Sequence, residues 1–132
     1  MRPFAYARAE SVDGALEATR EGHTAVLAGG TELLNWLRLG VAWPDRLVDI
    51  SRIGALRVIE PLDGGGLRIG ATARLNDVAA DPRVSGDWPV LEQAIQKAAS
   101  AQLRNLATIG GNLLQTLDLA VAAQLLACSN AI

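Results

Sequence analysis

Two glycine pairs are the residues of this sequence whose type and spacing suggest a binding site. Gly29 and Gly30 follow an apolar run and precede a segment with helical spacing, and Gly110 and Gly111 precede Asn112. Glycine lets backbone amides approach a ligand closely, and N–H groups at the start of a helix attract anions. The two loops therefore predict a site that holds an anionic ligand through backbone amides.

Established phosphate-binding patterns are absent from both loops. Neither loop matches Gly-x-Gly-x-x-Gly or the Walker A pattern, so the sequence excludes a Rossmann or a P-loop site. Glycine pairs also form tight turns at the ends of helices and strands, and such turns explain the same residues equally well. The loops alone leave both interpretations open.

Side chains that perform acid–base, nucleophilic or metal chemistry are scarce. His23 is the only histidine and Cys128 the only cysteine, so the chain can form neither an internal disulfide nor a Cys/His metal site. An iron–sulfur cluster needs several thiolates, which this chain alone does not supply. His23 lies in a predicted turn and Cys128 in an apolar helical stretch, and no pair of carboxylates marks a site. We therefore expect no catalytic side chain and no metal ligand.

Hydrophobic spacing predicts the elements that position the loops. The pattern predicts strands over 24–28, 46–50, 56–60 and 67–71, and helices over 11–19, 32–39, 73–80, 88–98 and 117–126. Ser11 and Thr72 are placed to cap two helices, and Asp81 with Pro82 is expected to end one. Gly110 and Gly111 are expected to stop any regular element. The first loop thus lies between a strand and a helix, as an anion site requires.

Aromatic and basic residues near the loops are expected to be structural or solvated. Trp36, Trp43 and Trp88 are expected in the core or at an interface, because aromatic side chains mostly serve packing. Trp36 follows the first loop by one helical turn, so it could also approach a bound ligand. Arg38 and Arg104 lie near the loops in sequence and could neutralise a phosphate, but solvated arginines are the usual case.

Composition restricts the class of protein. The 132 residues, of which 50% are hydrophobic and 20% charged, suit a globular chain with room for one domain. The net charge of −2 argues against a nucleic-acid binder, which usually carries a basic stripe. No apolar run reaches the roughly 18–20 residues that span a bilayer, and the N-terminus lacks the apolar region of a signal peptide. We expect a cytoplasmic protein that neither binds nucleic acid nor spans a membrane.

The two loops, taken with the segments between them, resemble one family. Residues 26–34 and 103–113 look like the two flavin loops of the FAD-binding subunit of molybdenum hydroxylases, the relatives of xanthine dehydrogenase, carbon monoxide dehydrogenase and aldehyde oxidoreductase. Three further segments stand in the family's order: 3–9, 47–50 and 67–73. The resemblance covers residues 1 to about 115, and two loops at this separation make it specific.

The resemblance implies a fold and a site. The fold is α+β, with two small subdomains over residues 1–55 and 56–132, the second incomplete, and FAD in the cleft between them. By similarity, the first loop wraps the pyrophosphate, the second contacts the phosphates or the flavin, and Asp118 matches a flavin-contacting aspartate. The implied cofactor-binding residues are Val26, Leu27, Ala28, Gly29, Gly30, Thr31, Glu32, Leu33, Thr108, Ile109, Gly110, Gly111, Asn112 and Asp118.

The function that the resemblance implies is electron transfer. In the family, a molybdenum-cofactor large subunit reduces 2Fe-2S clusters on a small subunit, and FAD passes the electrons to NAD or another acceptor. The sequence departs from the family after residue 115, where it continues directly into an apolar stretch, and we expect it to be truncated. Two alternatives therefore stay open: a degenerate, non-catalytic binding or assembly domain, and an FAD enzyme similar to the wall-precursor reductases and phenol oxidases. The residues of 104–112 favour electron transfer over the latter.

Replacing either His23 or Cys128 with Ala is expected to leave any flavin-dependent dye reduction within a few-fold of the parent, because a flavin carries the redox chemistry in such proteins. Steady-state dye reduction measures this. A loss of several orders of magnitude in the His23→Ala variant would point instead to an acid–base enzyme.

Overall fold

The computed structural model of the protein describes residues 2–20 and 22–115. Its first part is a three-stranded parallel sheet in the order β1-β3-β2. The strands are β1 (Ala5–Arg8), β2 (Thr24–Leu27) and β3 (Arg46–Asp49), and the helices between them are α1 (Val12–Thr19) and α2 (Leu33–Leu39). Parallel strands need such crossover connections, so the alternation of strand and helix determines the strand direction.

Two residues define the ends of the helices in this sheet layer. The Ser11 side chain accepts a hydrogen bond from the Gly14 amide at 3.1 Å, which caps the start of α1 as the sequence predicts. Gly40 adopts a left-handed conformation with φ of 70° and ends α2, also as predicted. The central strand is buried, with Leu47 and Val48 at 1% and 0% exposure, so it holds the layer together.

The second part joins an antiparallel hairpin to a group of short helices. The strands are β4 (Ile59–Pro61) and β5 (Leu67–Ile69), and the helices are α3 (Leu75–Ala79), α4 (Pro82–Asp87), α5 (Pro89–Ala98), α6 (Ala101–Arg104) and α7 (Ile109–Gln115). Their buried core consists of Ala73, Leu75, Val78, Val84, Ile95 and Ala107. These helices and strands agree with the α+β class that the sequence predicts.

The prediction that Thr72 caps a helix is wrong. The helix begins at Leu75 with Arg74 at the cap position, and the Thr72 side chain does not cap it. Thr72 is 3% exposed, and its amide donates to the Leu56 carbonyl at 2.7 Å. Residues 71–73 are therefore a buried link between the hairpin and α3, and tertiary packing there overrides the local capping pattern.

The chain leaves α3 directly before Asp81 and Pro82, as the sequence predicts, and the same pair also begins the next helix. Asp81 caps α4, with its side chain accepting from the Arg83 amide, and Pro82 occupies the first turn, where its missing N–H costs nothing. The strand predicted over 56–60 also starts later, at Ile59, because Gly54–Leu56 forms a 3₁₀ turn.

The prediction that Gly110 and Gly111 stop regular structure is wrong as well. Both lie inside α7, whose first amides donate to carbonyl groups of the buried link at 71–73. These long-range hydrogen bonds outweigh the low helix propensity of glycine.

Three predicted features lie outside the described residues: the helix over 117–126, Asp118 and Cys128. The subdomain boundary at residue 55 stays a prediction. Nothing in the described part of the chain forms a helix with the length and apolarity needed to cross a bilayer.

Asp81 supplies a pH-dependent contribution to stability that can be measured. The hydrogen bonds from Arg83 lower the pKa of Asp81 to about 2, from an ordinary 3.8. A carboxyl whose pKa is lowered in the folded state stabilises it above pH 4, and this contribution is lost as the pH falls towards 2. Asn caps helices as well as Asp does, so Asp81→Asn should lower the free energy of unfolding at pH 7, with the difference from the parent vanishing near pH 2.

Urea unfolding at several pH values measures this difference. Asp63→Asn is the control, because Asp63 lies in the exposed turn between β4 and β5. Equal pH profiles for Asp81→Asn and the parent would contradict the prediction.

Candidate functional site: a cleft between the two glycine loops

The structure brings the two glycine loops together on one cleft. Its volume is about 500 Å³, which falls within the range of small-molecule binding sites. One side comes from the segment between β2 and α2, from α2 itself and from Ile50. The other side comes from Ala71, Leu75, Ala98, Ala99, Leu103, Ala107, Thr108, Gly110, Gly111, Asn112 and Leu114.

Gly29 is the point where the two sides touch. A Cβ atom at this position would lie 2.2 Å from the Leu106 carbonyl oxygen and 3.1 Å from the Ala107 Cα. Both neighbours are backbone atoms, which cannot rotate away as the end of a flexible side chain can. Glycine is therefore required at position 29 because the first loop packs directly against the backbone that leads into the second.

The first loop presents unpaired amides to the cleft. The N–H groups of Gly29, Gly30, Thr31 and Glu32 donate to no acceptor among residues 2–20 and 22–115, and all four residues line the cleft. Gly30 has φ of +73°, a conformation that other residues rarely adopt. Consecutive unpaired amides at the start of a helix form an anion-binding concavity. The local geometry of the first loop is that of an anion site.

The second loop has a different role from the one that its glycines suggest. The amides of residues 109–112, expected to be bare, all donate within the protein, to the carbonyl oxygens of Ala73, Ala71 and Thr108 and to the Thr108 hydroxyl, at 2.9–3.3 Å. Gly110 is needed for packing, since a Cβ there would lie 2.8 Å from the Ala71 carbonyl oxygen. The second loop is thus a wall of the cleft rather than a second set of free donors.

Most of the residues predicted for the site line the cleft. Leu27 and Ile109 do not line it. The Leu27 side chain lies close to Gly30, and Ile109 packs against the buried core of the short helices. Trp36 lines the cleft at 37% exposure and so lies outside the core. This agrees with the alternative that the sequence left open for it, since it lies one helical turn after the first loop.

Arg104 positions the wall of the cleft and is not simply solvated. Its guanidinium donates to the Asn76 side chain at 2.8 Å and to the carbonyl oxygens of Gln96 at 2.9 Å and Ala99 at 2.5 Å. These bonds satisfy carbonyl groups at the end of α5, where a cation is also favourable for the helix dipole. They hold Ala99 at the edge of the cleft.

No cation lines the cleft within the described part of the chain, and Glu32 is the one charged residue there. His23, as expected, lies in an exposed turn, with Nδ1 at 3.1 Å from the Trp43 carbonyl oxygen. No group of three or more His, Cys, Asp and Glu residues in the described ranges could hold a metal ion. An anion in this cleft would therefore be bound by neutral amides.

Asp49 is a buried carboxylate next to Ile50, which lines the cleft. Burial acts to raise the pKa of Asp49, but hydrogen bonds from the Tyr6 hydroxyl at 2.5 Å and the Ser51 amide at 2.8 Å, with the Arg8 guanidinium at 3.5 Å, lower it overall. The ionised carboxylate joins β1 to the end of β3. It supports the sheet edge from which the cleft opens.

The comparison with known families decides what kind of protein has this cleft. Residues 2–132 match the family described as the FAD binding domain in molybdopterin dehydrogenase. The chain belongs to this family. The resemblance inferred from the two loops is thereby confirmed.

Individual relatives agree with this family and with the fold. The chain is 46% identical over 116 residues to the aldehyde oxidoreductase FAD-binding subunit PaoB of Escherichia coli, and 36% identical over 109 residues to the glyceraldehyde dehydrogenase medium chain of Sulfolobus acidocaldarius. A carbon monoxide dehydrogenase structure from Hydrogenophaga pseudoflava superposes with a TM-score of 0.78 at 38% identity, covering 86% of this chain and 40% of that one.

This chain spans little more than a third of its curated relatives. The two matches cover 87% and 82% of this chain but 36% and 38% of the relatives. The shared region is the one that contains both glycine loops.

Replacing Gly29 with Ala is expected to lower the free energy of unfolding by about 1–3 kcal/mol, the usual cost of forcing extra atoms into a packed site. Thermal and urea unfolding measure the loss. Gly54→Ala is the matched control, since a Cβ at Gly54 would meet nothing within 4 Å. Equal stability of the two variants would show that the loops do not pack as described.

Proposed function

We propose that this chain is the FAD-binding part of an oxidoreductase of the molybdenum hydroxylase type. The observation that carries the proposal is the row of four unpaired amides in the first loop, in a cleft that the second loop closes. Membership of an FAD-binding family supports the choice of FAD among the nucleotides.

The described residues fit the diphosphate group of FAD. The amides of Gly29, Gly30, Thr31 and Glu32 would donate to its oxygens, as four neutral donors in a site without a cation among the described residues. In the second loop, the Thr108 hydroxyl accepts from the Gly111 amide and keeps its own O–H as a donor, so that wall would contribute this hydroxyl and the Asn112 side chain. Asp118 would add a contact from beyond the described residues.

Bound FAD would supply the redox chemistry, and the chain would bind and orient it. The proposed role includes accepting electrons from the 2Fe-2S clusters of a small subunit, which a molybdenum-cofactor large subunit reduces, and passing them to NAD or another acceptor. The support for these partners is that the similar proteins are named as a FAD-binding subunit and as a medium chain. A cytoplasmic location is part of the same proposal.

One surface feature favours the alternative of a binding or assembly domain. Several large apolar side chains beside the cleft are exposed: Leu103 at 47%, Leu106 at 57% and Leu114 at 71%. Contiguous exposed apolar surface commonly marks an interface. Such a domain would keep the fold and its contacts without FAD.

FAD binding by the purified chain distinguishes these functions, and its salt dependence tests the site. Isothermal titration calorimetry is expected to detect FAD binding whose affinity changes little between low and high salt, because neutral amides hold the diphosphate. The Glu32→Gln variant should bind FAD at least as tightly as the parent, since it removes the one carboxylate from the cleft. A steep fall of affinity with salt would contradict the amide site, and no binding would favour the assembly domain.

A pair of glycine variants distinguishes an effect on FAD binding at the cleft from the general effect of backbone strain. Gly30 has φ of +73° and Gly64 has φ of +93°, so Ala is strained at either position. Only Gly30 lines the cleft, and Gly30→Ala should therefore weaken FAD binding while Gly64→Ala leaves it unchanged. Equal affinities for both variants would exclude the first loop as the diphosphate site.

A further inference from the structure

Trp36 is the one aromatic side chain that lines the cleft in the described part of the chain. It lies on α2 and is 37% exposed. The neighbouring Leu37 on the same helix is 3% exposed and packs inward. The helix therefore buries its leucine and leaves the indole in the cleft.

The cleft that Trp36 lines has few bulky side chains on its second side. Small residues form much of the second side of the cleft: Ala71, Ala98, Ala99, Ala107, Gly110 and Gly111. Arg104 holds Ala99 in place through its carbonyl oxygen, so this part of the wall is anchored. The lining of the cleft thus combines an indole with small side chains, which leaves space for an aromatic ligand group.

The distance from the first loop selects which ring of FAD would reach Trp36. Glu32, one of the residues with a free amide, is four positions before Trp36, which is about 6 Å along a helix axis. In FAD, a single ribose ring separates adenine from the diphosphate, whereas an open ribityl chain separates the isoalloxazine from it. With the diphosphate on the amides of the first loop, adenine is the ring within one helical turn.

We propose that Trp36 stacks on the adenine ring of the bound dinucleotide and makes the cleft selective for adenine nucleotides. This inference rests on the proposed function, since it places the diphosphate on the first loop. Stacking on an aromatic side chain needs no hydrogen-bond pattern, so the selectivity would come from the position of the indole relative to the amides.

The test uses the full chain with ADP and FMN, which carry the two rings of FAD separately. Trp36→Ala is expected to weaken ADP and FAD binding by about 5- to 150-fold, the factor that corresponds to stacking energies of about 1–3 kcal/mol. FMN binding should stay unchanged. Trp36→Phe should restore most of the ADP affinity, because a smaller aromatic ring still stacks, and Trp43→Ala is the control, since Trp43 lies outside the cleft.

A spectroscopic readout accompanies the affinities. The chain has three tryptophans, so the Trp43→Phe/Trp88→Phe double variant retains Trp36 alone. ADP is expected to quench the fluorescence of this variant. If FMN binds to the variant and ADP does not quench its fluorescence, the inference is overturned. Unchanged ADP affinity in Trp36→Ala would also overturn it while leaving FAD binding intact. A parent chain that binds neither FAD nor ADP would overturn the proposed function as well.

Discussion

The close approach of Gly29 to the backbone at Leu106 and Ala107 is the constraint on which the cleft depends. Backbone against backbone leaves no space for a side chain, and a Cβ at position 29 would lie 2.2 Å from a carbonyl oxygen. This contact joins the loop after β2 to the segment before α7, which are far apart in sequence. It brings the free amides of one loop beside the wall formed by the other. The size of the cleft and the position of its donors both follow from it.

The buried link at residues 71–73 anchors the second side of the cleft. The carbonyl oxygens of Ala71 and Ala73 accept the first amides of α7, and the Thr72 amide donates to Leu56. Each such hydrogen bond contributes about 0.5–1.5 kcal/mol net, and leaving one unmade in a buried site costs more. Gly110 packs on Ala71 so closely that its missing side chain is part of the contact. The same bonds consume the amides that a ligand would otherwise use.

The charges of the described residues are placed for stability and kept out of the cleft. Asp49 and Asp81 are each held ionised by hydrogen bonds and an arginine. The Asp49 carboxylate joins β1 to β3, and Arg83, the partner of Asp81, also donates to the Ile59 carbonyl oxygen in β4. Arg104 donates to carbonyl groups at the end of α5. Without a cation in its described lining, the cleft offers neutral amides, an indole and small side chains. That combination suits a ligand that carries both an anionic group and flat rings.

Two helix ends and the family of this protein follow from the sequence by itself. Ser11 and Gly40 act on the helix ends beside them, and their roles follow from hydrogen bonds and φ angles within a few residues. The two glycine loops, with their separation and the segments between them, were sufficient to recognise the family, because that information lies in the order of residues along the chain.

Only the tertiary structure decided how the two loops differ. The first loop keeps its amides free, whereas two amides of the second donate to the distant carbonyl groups of Ala71 and Ala73, and two more donate to the nearby Thr108. For the same reason, Thr72 is buried instead of capping a helix, and Arg104 holds the end of α5. Trp36 lines the cleft because α2 packs its Leu37 face inward, and that choice depends on neighbours that no local pattern specifies.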